Sequence, residues 1–441
     1  MRTNIVHIGA EELSYEIREI VEVARQLEKI TGRETLWENI GDPVQKGEKI
    51  PEWIKDIVAA AVREDSTYGY CPTRGLLETR EFLAERLNAR GGVQITPEDI
   101  IFFNGLGDAV SKVYGMLRRT ARVIGPSPAY PTHSSAEAAH AGSPPITYRL
   151  DPSNGWMPDL EELRMKVKYN ESIGGIMVTN PDNPTGTVFP AEVLKEMVSI
   201  AREFDLFLVA DEIYQNMVYN GHDVTPLSAV IEDVPALSLK GISKEIPWPG
   251  GRCGWIEVYN HVGQPIFEKY VKSILDAKML EVCSTTLPQY VIPRIFAHPE
   301  YARWQTERNA GLAERSRLIA EIFKDTEGIA VNPPSGAFYC SVVFQRPLDD
   351  SMHLHIENEE ARALIERLCP PGTPPDKRFV YQLLAAYGIC VVPLTSFVCD
   401  LPGFRATTLE QDRDRFVHIF KTIAHATQEF LGVRPALQAA Q

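Results

Sequence analysis

Residues 236–255 read ALSLKGISKEIPWPGGRCGW and contain two cations, Lys244 and Arg252, in a segment broken by proline and glycine. Its first five residues, 236–240, are typical of a buried strand. The prolines and paired glycines that follow exclude one continuous helix or strand. Two interpretations stay open, namely a solvated surface loop, and a loop that folds back so that both cations point at one anion.

Short apolar runs on either side of this segment alternate with helical patterns. The apolar runs cover residues 100–104, 175–180, 206–210, 236–240 and 254–260; the helical patterns cover 13–27, 51–63 and 300–325, with further helices beginning near Ala109 and at Pro190. This alternation predicts a mainly parallel sheet covered by helices on both faces. Ligands of such sheets bind outside the carboxyl ends of the strands, so polar residues directly after the strands are the candidates. Residues 346–378 are acidic and contain prolines, which predicts an insertion or surface excursion.

The composition is that of an ordinary soluble globular protein, with 441 residues, 44% hydrophobic and 24% charged. A net charge of −14 argues against a nucleic acid or an anionic membrane as the main partner. The seven cysteines are scattered and form no CxxC motif, so neither a disulfide framework nor a metal site is indicated, and we expect a reducing, cytoplasmic location. The first residues lack the apolar core of a signal peptide, and no apolar run approaches membrane-spanning length.

NGLGD, residues 104–108, joins a predicted strand to a helix. Gly105 and Gly107, on either side of Leu106, allow backbone N–H groups to face an anion at a helix N-terminus. A plain tight turn is the first alternative. The start of a dinucleotide-binding fingerprint is the second, although Val110 stands where that fingerprint needs a small residue.

Two more motifs follow predicted strands. NPDNPTG, residues 180–186, either redirects the chain through proline turns or places the Asn183 amide near a ligand oxygen. ADEIY, residues 210–214, contains Asp211 and, three residues later, Tyr214. If a helical turn begins there, both side chains lie on the same side. The alternative is an N-capping aspartate and a packed tyrosine.

Together these motifs fit the chemical needs of pyridoxal 5'-phosphate. Its aldehyde needs a lysine with a lowered pKa for a Schiff base, and its protonated ring nitrogen needs a carboxylate. Its phenolic oxygen accepts hydrogen bonds, its phosphate needs backbone N–H groups and an arginine, and an aromatic ring covers its plane. The candidates are Lys244, Asp211, Asn183, Tyr214, Arg252, the glycine loop at 105–107, and Tyr130 in GPSPAYP.

The same motifs resemble those of the class I and II aminotransferases, the fold-type I pyridoxal-phosphate-dependent enzymes, over nearly the whole chain. The resemblance rests on SK…GxRxGW around Lys244 and Arg252, on the D-x-x-Y pair that begins at Asp211, and on NPTG with Asn183. It implies an enzyme that moves an amino group between an L-amino acid and a 2-keto acid through a Lys244 Schiff base. A lyase, decarboxylase or synthase that uses the same cofactor is the alternative, and a non-catalytic binding protein on this scaffold is a third class.

The resemblance also implies a role for each matched position. It implies catalytic roles for Lys244, Asp211 and Tyr214, cofactor contacts from Gly105, Leu106, Gly107, Tyr130, Asn183, Asp211, Tyr214, Ser243, Lys244 and Arg252, and substrate contacts from Gly41 in GDP, Asn183 and Arg405 in PGFRATT. Tyr70 in YCPTRG is similar to a tyrosine that reaches the phosphate in the partner subunit, which implies a homodimer with shared active sites. For Arg405, a surface arginine is the alternative.

The implied architecture is α/β, with a large domain at 44–305 built on a mainly parallel sheet of the seven-stranded type between helices. The N-terminal segment 1–43 joins a smaller α/β domain at 306–441, and the substrate lies between the two domains.

One position departs from the family pattern, because Gly241 stands where many relatives have serine or threonine for the phosphate. Whether Ser243 contributes instead stays open. The amino acid and keto acid are not determined either. A dicarboxylate substrate needs one more cation, for which Arg74 is a candidate, and an apolar substrate needs a pocket to which Tyr15 and Ile17 are candidates to contribute.

Overall fold

The computed structural model describes residues 5–13 and 16–433, with side chains from residue 19 onward in the first helix. The helices are α1 (Glu16–Thr31), α2 (Glu52–Ala61), α3 (Leu77–Asn88), α4 (Leu106–Gly115), α5 (Pro131–Ala141), α6 (Leu160–Lys168), α7 (Ala191–Glu203), α8 (Ile242–Glu245), α9 (Pro265–Met279), α10 (Thr286–Phe296), α11 (Tyr301–Phe323), α12 (Glu359–Leu368), α13 (Pro375–Tyr387) and α14 (Arg413–Phe430). The strands are β1 (Leu36–Trp37), β2 (Ile100–Phe103), β3 (Arg122–Ser127), β4 (Thr147–Asp151), β5 (Met157–Pro158), β6 (Ile173–Thr179), β7 (Phe207–Asp211), β8 (Ala236–Gly241), β9 (Gly254–Tyr259), β10 (Ile329–Val331), β11 (Tyr339–Phe344), β12 (Ile389–Cys390), β13 (Val392–Pro393) and β14 (Gly403–Thr407).

The large sheet has the strand order β2-β9-β8-β7-β6-β3-β4-β5. The four pairs from β8 to β4 are parallel, whereas β9 is antiparallel to both of its neighbours and β5 is antiparallel to β4. The predicted mainly parallel sheet is therefore confirmed, as seven strands plus the two-residue edge strand β5. The carboxyl ends of β6, β7 and β8 lie side by side at one edge.

Helices cover both faces of this sheet because its strands bury side chains in both directions. In β7, Leu208 and Ala210 belong to one hydrophobic cluster, which includes residues of α2, α3, α6, α7 and α10. Val209, between them, belongs to a second cluster with residues of α4 and α9. Successive side chains of a strand point to opposite faces, so a continuous apolar run is what a doubly covered strand requires.

A smaller antiparallel sheet has the strand order β10-β11-β14-β13. Its core contains residues of α1, α12, α13 and α14. The prediction that residues 346–378 form a surface excursion was wrong, because the segment contains α12, and Leu354 and Ile356 are 3% and 6% exposed. The acidic composition of α12 led to the wrong prediction, although a narrow apolar stripe of the helix is buried, at Ala361, Leu364 and Ile365.

Two element boundaries differ from the sequence predictions. The helix expected near Ala109 begins at Leu106, directly after the glycine turn. The predicted domain boundary at 305–306 falls within α11, which begins with Tyr301 in the core of the large sheet and contains Ile319 in the core of the small sheet. The domain division stays a prediction. No helix in the described ranges combines the length and the apolar character needed to cross a membrane.

Candidate functional site

Lys244 lies on the four-residue helix α8, directly after β8. Its Nζ donates a hydrogen bond to the carbonyl oxygen of Gly41 at 2.6 Å, so the lysine reaches the loop that contains the GDP motif. Burial lowers the pKa of the Lys244 amine to about 8; the carboxylate of Asp42 opposes this shift, and the guanidinium of Arg405 adds to it. Near neutral pH a larger fraction of such an amine is unprotonated than of an ordinary lysine, so more of it is available as a nucleophile or proton acceptor.

Asp211 is the last residue of β7 and is 4% exposed. Its Oδ2 lies 3.0 Å from Nε2 of His133, and its Oδ1 accepts from the backbone N–H of Ile213 at 3.1 Å. Nδ1 of His133 in turn lies 3.3 Å from the hydroxyl of Tyr114, and the Tyr130 ring lies 6.5 Å from the His133 ring. Sequence reasoning missed His133, although its position three residues after Tyr130 at the start of a helix was a usable signal.

Tyr214 follows Asp211 in a chain of hydrogen-bonded turns, not in a helical turn. Its hydroxyl lies 3.1 Å from the hydroxyl of Tyr339, which belongs to β11 of the small sheet. Burial raises the pKa of the Tyr214 phenol well above its ordinary value. A Cβ at Gly41 would lie 2.3 Å from the Tyr339 hydroxyl, which explains the glycine. Sequence reasoning also missed Tyr339, because no local motif marks it.

The glycine loop and Arg252 meet at the end of β2. Gly105 has a φ of +83°, a left-handed backbone conformation that favours glycine, and a Cβ there would lie 2.5 Å from Nη2 of Arg252. The exposed Arg252 points its Nη2 at the carbonyl oxygen of Asn104, at 3.5 Å, and its Nη1 donates to that of Pro249 at 3.1 Å. Helix α4 begins at Leu106, so its N-terminus lies beside the guanidinium, an arrangement suited to a phosphate.

The NPDNPTG loop follows β6 and reaches the same edge. Oδ1 of Asn183 accepts a hydrogen bond from Nη1 of Arg405 at 3.3 Å. Asp182 holds the loop, because its Oδ2 accepts from the backbone N–H and the hydroxyl of Thr185 at 3.1 and 2.6 Å. Burial raises the pKa of the Asp182 carboxyl to about 7.

Arg405 lies in the middle of β14 and is 2% exposed, so the alternative of a surface arginine is excluded. Its Nη2 donates to the carbonyl oxygen of Asn39 at 2.7 Å, and its guanidinium lies 4.6 Å from the Tyr339 ring and 5.0 Å from the Phe397 ring. Within the described residues, Nε of Arg405 and both side-chain amide atoms of Asn39 are buried without a hydrogen-bond partner. Unpaired buried donors of this kind are expected where a carboxylate binds.

The structure explains the departure at Gly241. A Cβ there would lie 3.0 Å from the carbonyl oxygen of Cys253 and 3.1 Å from Cδ1 of Ile213. Gly241 also pairs with Gly254 across the antiparallel strands β8 and β9. A serine therefore requires its neighbours to shift by a few tenths of an ångström, and the contribution of the half-buried Ser243 stays a prediction.

The remaining sequence candidates are Tyr70, Arg74, Tyr15 and Ile17. Tyr70 is 85% exposed. Arg74, the candidate for a distal carboxylate, donates to the carbonyl oxygen of Glu98 at 2.5 Å and lies 3.3 Å from its carboxylate. The side chains of Tyr15 and Ile17 fall outside the described part of the chain.

These observations fit pyridoxal phosphate and an amino acid substrate. Gly105 leaves a close backbone approach beside the exposed guanidinium of Arg252, and the buried Asp211 carboxylate lies at the adjacent strand ends. Lys244 has a lowered pKa, and the unpaired donor of Arg405 is available for a carboxylate.

Comparison with known proteins gives consistent results. A family model described as aminotransferase class I and II matches residues 38–418. The chain is 58% identical over 432 residues to an uncharacterised aminotransferase of Methanocaldococcus jannaschii, covering 98% of this chain and 100% of that protein. It is 28% identical over 358 residues to the glutamate-pyruvate aminotransferase AlaA of Escherichia coli, covering 80% and 85% of the two chains. Among solved structures, an alanine aminotransferase from Pyrococcus furiosus is similar with a TM-score of 0.83 and 26% identity, over 97% of this chain and 100% of that one.

Proposed function

The chain belongs to the class I and II aminotransferases, and from that premise we propose that it uses pyridoxal 5'-phosphate, bound through a Lys244 Schiff base, to transfer an amino group from an L-amino acid to a 2-keto acid. The observation that carries the proposal is the placement of Lys244. Its amine has a pKa of about 8 and lies at the edge of the sheet where β7 ends in the buried Asp211.

The residues at the strand ends would hold the cofactor. Its phosphate is assigned to the N-terminus of α4, to Arg252 and to Ser243, with Tyr70 of the partner subunit as an additional contact. Asp211 is assigned to the ring nitrogen, Asn183 and Tyr214 to the phenolic oxygen, and Tyr130 to the ring face. When bound, this cofactor supplies an electrophilic carbon for the amino group and a sink for the electron pair left on the substrate Cα.

The protein's own groups then bind the substrate and move its proton. Arg405 binds the α-carboxylate through its unpaired donor, while Asn183 and the backbone of Asn39 fix the plane of the guanidinium. Lys244, once its amine is free, would take the proton from the substrate Cα and pass it on to the bound cofactor in the first half of the reaction, and would carry a proton in the opposite direction, to the Cα of the new amino acid, in the second half. The His133 ring holds the Asp211 carboxylate in a fixed orientation, which keeps that negative charge at the strand end.

Alanine and glutamate are the proposed amino donors. The relatives include a glutamate-pyruvate aminotransferase and an alanine aminotransferase, which supports alanine and glutamate as donors with pyruvate and 2-oxoglutarate as acceptors. The engagement of Arg74 by Glu98 removes one candidate cation for a distal carboxylate. The distal carboxylate of a glutamate substrate therefore needs a hydrogen-bond donor other than Arg74. Because Tyr70 is exposed on the surface, we propose that a second subunit completes the site.

A homodimer in the cytoplasm is part of the same proposal. Tyr68, Tyr70 and Leu280 are large side chains that are 72%, 85% and 89% exposed, and burial of such residues favours association. All seven cysteines are free, which agrees with a reducing location. Sedimentation of the purified protein tests the dimer, and a monomer at micromolar concentration contradicts it.

The experiment that tests the function uses purified protein loaded with pyridoxal phosphate. Each amino donor is combined with pyruvate or 2-oxoglutarate, and the visible absorbance and the new amino acid are measured. We expect turnover only when a keto acid is present. Release of ammonia or pyruvate without an acceptor contradicts transamination and supports a lyase instead.

A further inference from the structure

We propose that Arg308 is a positioning residue for the reaction, which ties the short helix of Lys244 to the substrate-side loop that contains Gly41. This inference rests on the proposed function of Lys244, and it adds a residue that neither the motifs nor the relatives indicate. Arg308 lies on α11, a helix that otherwise packs between the two sheets.

The Arg308 side chain is 9% exposed, and all of its nitrogens make hydrogen bonds. Nε and Nη2 donate to the two carboxylate oxygens of Glu48 at 2.5 and 3.1 Å. Nη1 donates to the backbone carbonyl oxygens of Lys244 and Glu245 at 2.8 and 3.3 Å. The planar guanidinium thus joins the loop at Glu48 to the backbone of helix α8, a geometry that lysine does not reproduce.

Helix α8 needs such a partner because it has only four residues. The last carbonyl groups of a helix have no partner within it, and in a helix this short almost every carbonyl is a terminal one. Arg308 satisfies the carbonyl of the catalytic lysine itself. Other residues of α11 and its surroundings hold the next side chain, since the Glu245 carboxylate accepts from Asn216 and from Tyr301.

The loop side of the bridge is anchored at several points. Glu48 binds Arg308, and within the same loop Lys46 pairs with the buried Glu38 at 2.8 Å. The loop begins at Gly41, whose carbonyl oxygen accepts from the Lys244 amine. The loop therefore contacts Lys244 twice, directly at the amine and through Glu48 and Arg308 at the backbone.

This double contact couples the position of the amine to the closure of the loop. Loss of the Arg308 bridge frees the Lys244 carbonyl and the Glu48 end of the loop together, while the Schiff-base lysine and the cofactor contacts at Asp211 and Arg252 stay in place. A lysine displaced by a fraction of an ångström still binds the cofactor but transfers the substrate proton more slowly. The bridge thus acts on kcat and on loop opening, not on cofactor affinity.

The first experiment compares Arg308→Gln, Arg308→Lys and Glu48→Gln with Arg315→Gln in the holoenzyme. Arg315 is the matched control, because it lies on the same helix and close to the Glu48 carboxylate, yet it donates to the carbonyl of Thr408 and to Gln411 and not to Glu48 or helix α8. We expect Arg308→Gln to lower kcat about 10- to 100-fold, with cofactor affinity and KM near the wild-type values. Glu48→Gln should lower kcat less, Arg308→Lys should restore part of the loss, and Arg315→Gln should leave kcat near wild type.

The second experiment needs no activity. In cofactor-free protein, trypsin cleaves after Lys46 and Lys49 when the loop opens. The rate of this cleavage is measured by mass spectrometry. We expect cleavage to be about tenfold faster or more in Arg308→Gln and Glu48→Gln, because charge-assisted hydrogen bonds are lost, and unchanged in Arg315→Gln.

Equal effects of Arg308→Gln and Arg315→Gln on kcat and on cleavage overturn the inference, since they indicate a purely structural arginine. Loss of cofactor binding in Arg308→Gln with an intact fold by circular dichroism overturns it as well. Failure of the proposed function gives a different result, because the wild-type protein then shows no keto-acid-dependent turnover, whereas the cleavage experiment still reports on the bridge.

Discussion

The cofactor side and the substrate side of the candidate site are built in different ways. On the cofactor side, Asp211 and the Lys244 helix follow adjacent strands of one sheet, and each lies within a few residues of a strand end. On the substrate side, Arg405 bonds to the backbone of Asn39, which is 366 positions away in the sequence. Strand-to-loop units place the first group, whereas packing of the two sheets places the second.

The two arginines show the same contrast. Arg252 is exposed and donates to the backbone carbonyl groups of Pro249 and Asn104, and its proposed role is to neutralise a phosphate that stays bound. Arg405 is buried, lies against two aromatic rings and keeps one unpaired nitrogen. A site for a substrate that exchanges benefits from a donor whose orientation is fixed in advance, because less ordering free energy is lost at each binding event.

The largest effect is expected on the cofactor side, from Lys244→Ala. The variant loses both the Schiff-base amine and the general base, so transamination should fall at least about 10⁴-fold. Absorbance of the loaded protein and turnover with alanine and 2-oxoglutarate measure it. Near-normal turnover, or an unchanged visible spectrum, contradicts the assignment of Lys244.

The next effect separates the two sides. Arg405→Lys should lower kcat/KM for the amino acid about 10²- to 10³-fold, because lysine cannot form the bidentate pair with a carboxylate. Cofactor affinity should stay near wild type. The matched variant Arg252→Lys should have the opposite effect. It should weaken cofactor binding, while enzyme molecules that hold the cofactor keep the wild-type KM for the amino acid. If both variants change cofactor affinity and KM in the same way, the distinction between a cofactor side and a substrate side is wrong.

A smaller effect concerns the protonation of Lys244. Burial lowers its pKa to about 8, so the folded protein loses this proton well before an unfolded chain, in which lysine titrates near 10.4. Pulse labelling of the amine in cofactor-free protein, read by mass spectrometry, should show half-maximal reactivity near pH 8. The same peptide labelled in denaturant provides the control and should titrate about two units higher. Equal midpoints contradict the burial of the amine.

The smallest expected effect is on stability. Gly241→Ser introduces a Cβ within 3.0 to 3.2 Å of three atoms on neighbouring chain segments, so it should cost about 1–3 kcal/mol in the free energy of unfolding. Ser243→Ala provides the comparison at a half-buried position and should cost less. Urea unfolding measures both. A serine at 241 that stabilises the protein or tightens cofactor binding contradicts the packing explanation.

The residues of the cofactor side could be predicted from the sequence because the patterns that mark them span only a few residues. Apolar runs predicted the strands, and the polar residues after them include Asn183, Asp211 and Lys244 at adjacent strand ends. The surface-excursion prediction for residues 346–378 failed for the opposite reason. Acidic side chains dominate the composition there, while a few apolar positions decide burial.

Residues that act through distant contacts gave no comparable signal. His133 had a weak local signal from its spacing to Tyr130, but its partner Asp211 is 78 positions away. Tyr339 meets Tyr214 across 125 positions, and Arg308 meets Glu48 across 260. Periodicity reports which face a residue occupies, not which distant segment packs against that face.

The sequence by itself determined the fold class, the strand-end motifs and the resemblance to a family, because hydrophobic periodicity and turn chemistry act over a few residues. Only the tertiary structure decided that Arg405 is buried, that a side chain at Gly241 would meet three close neighbours, and that Arg308 bridges the Lys244 helix to the loop at Glu48. These outcomes depend on close packing between segments hundreds of residues apart, and packing is a property of the folded chain alone.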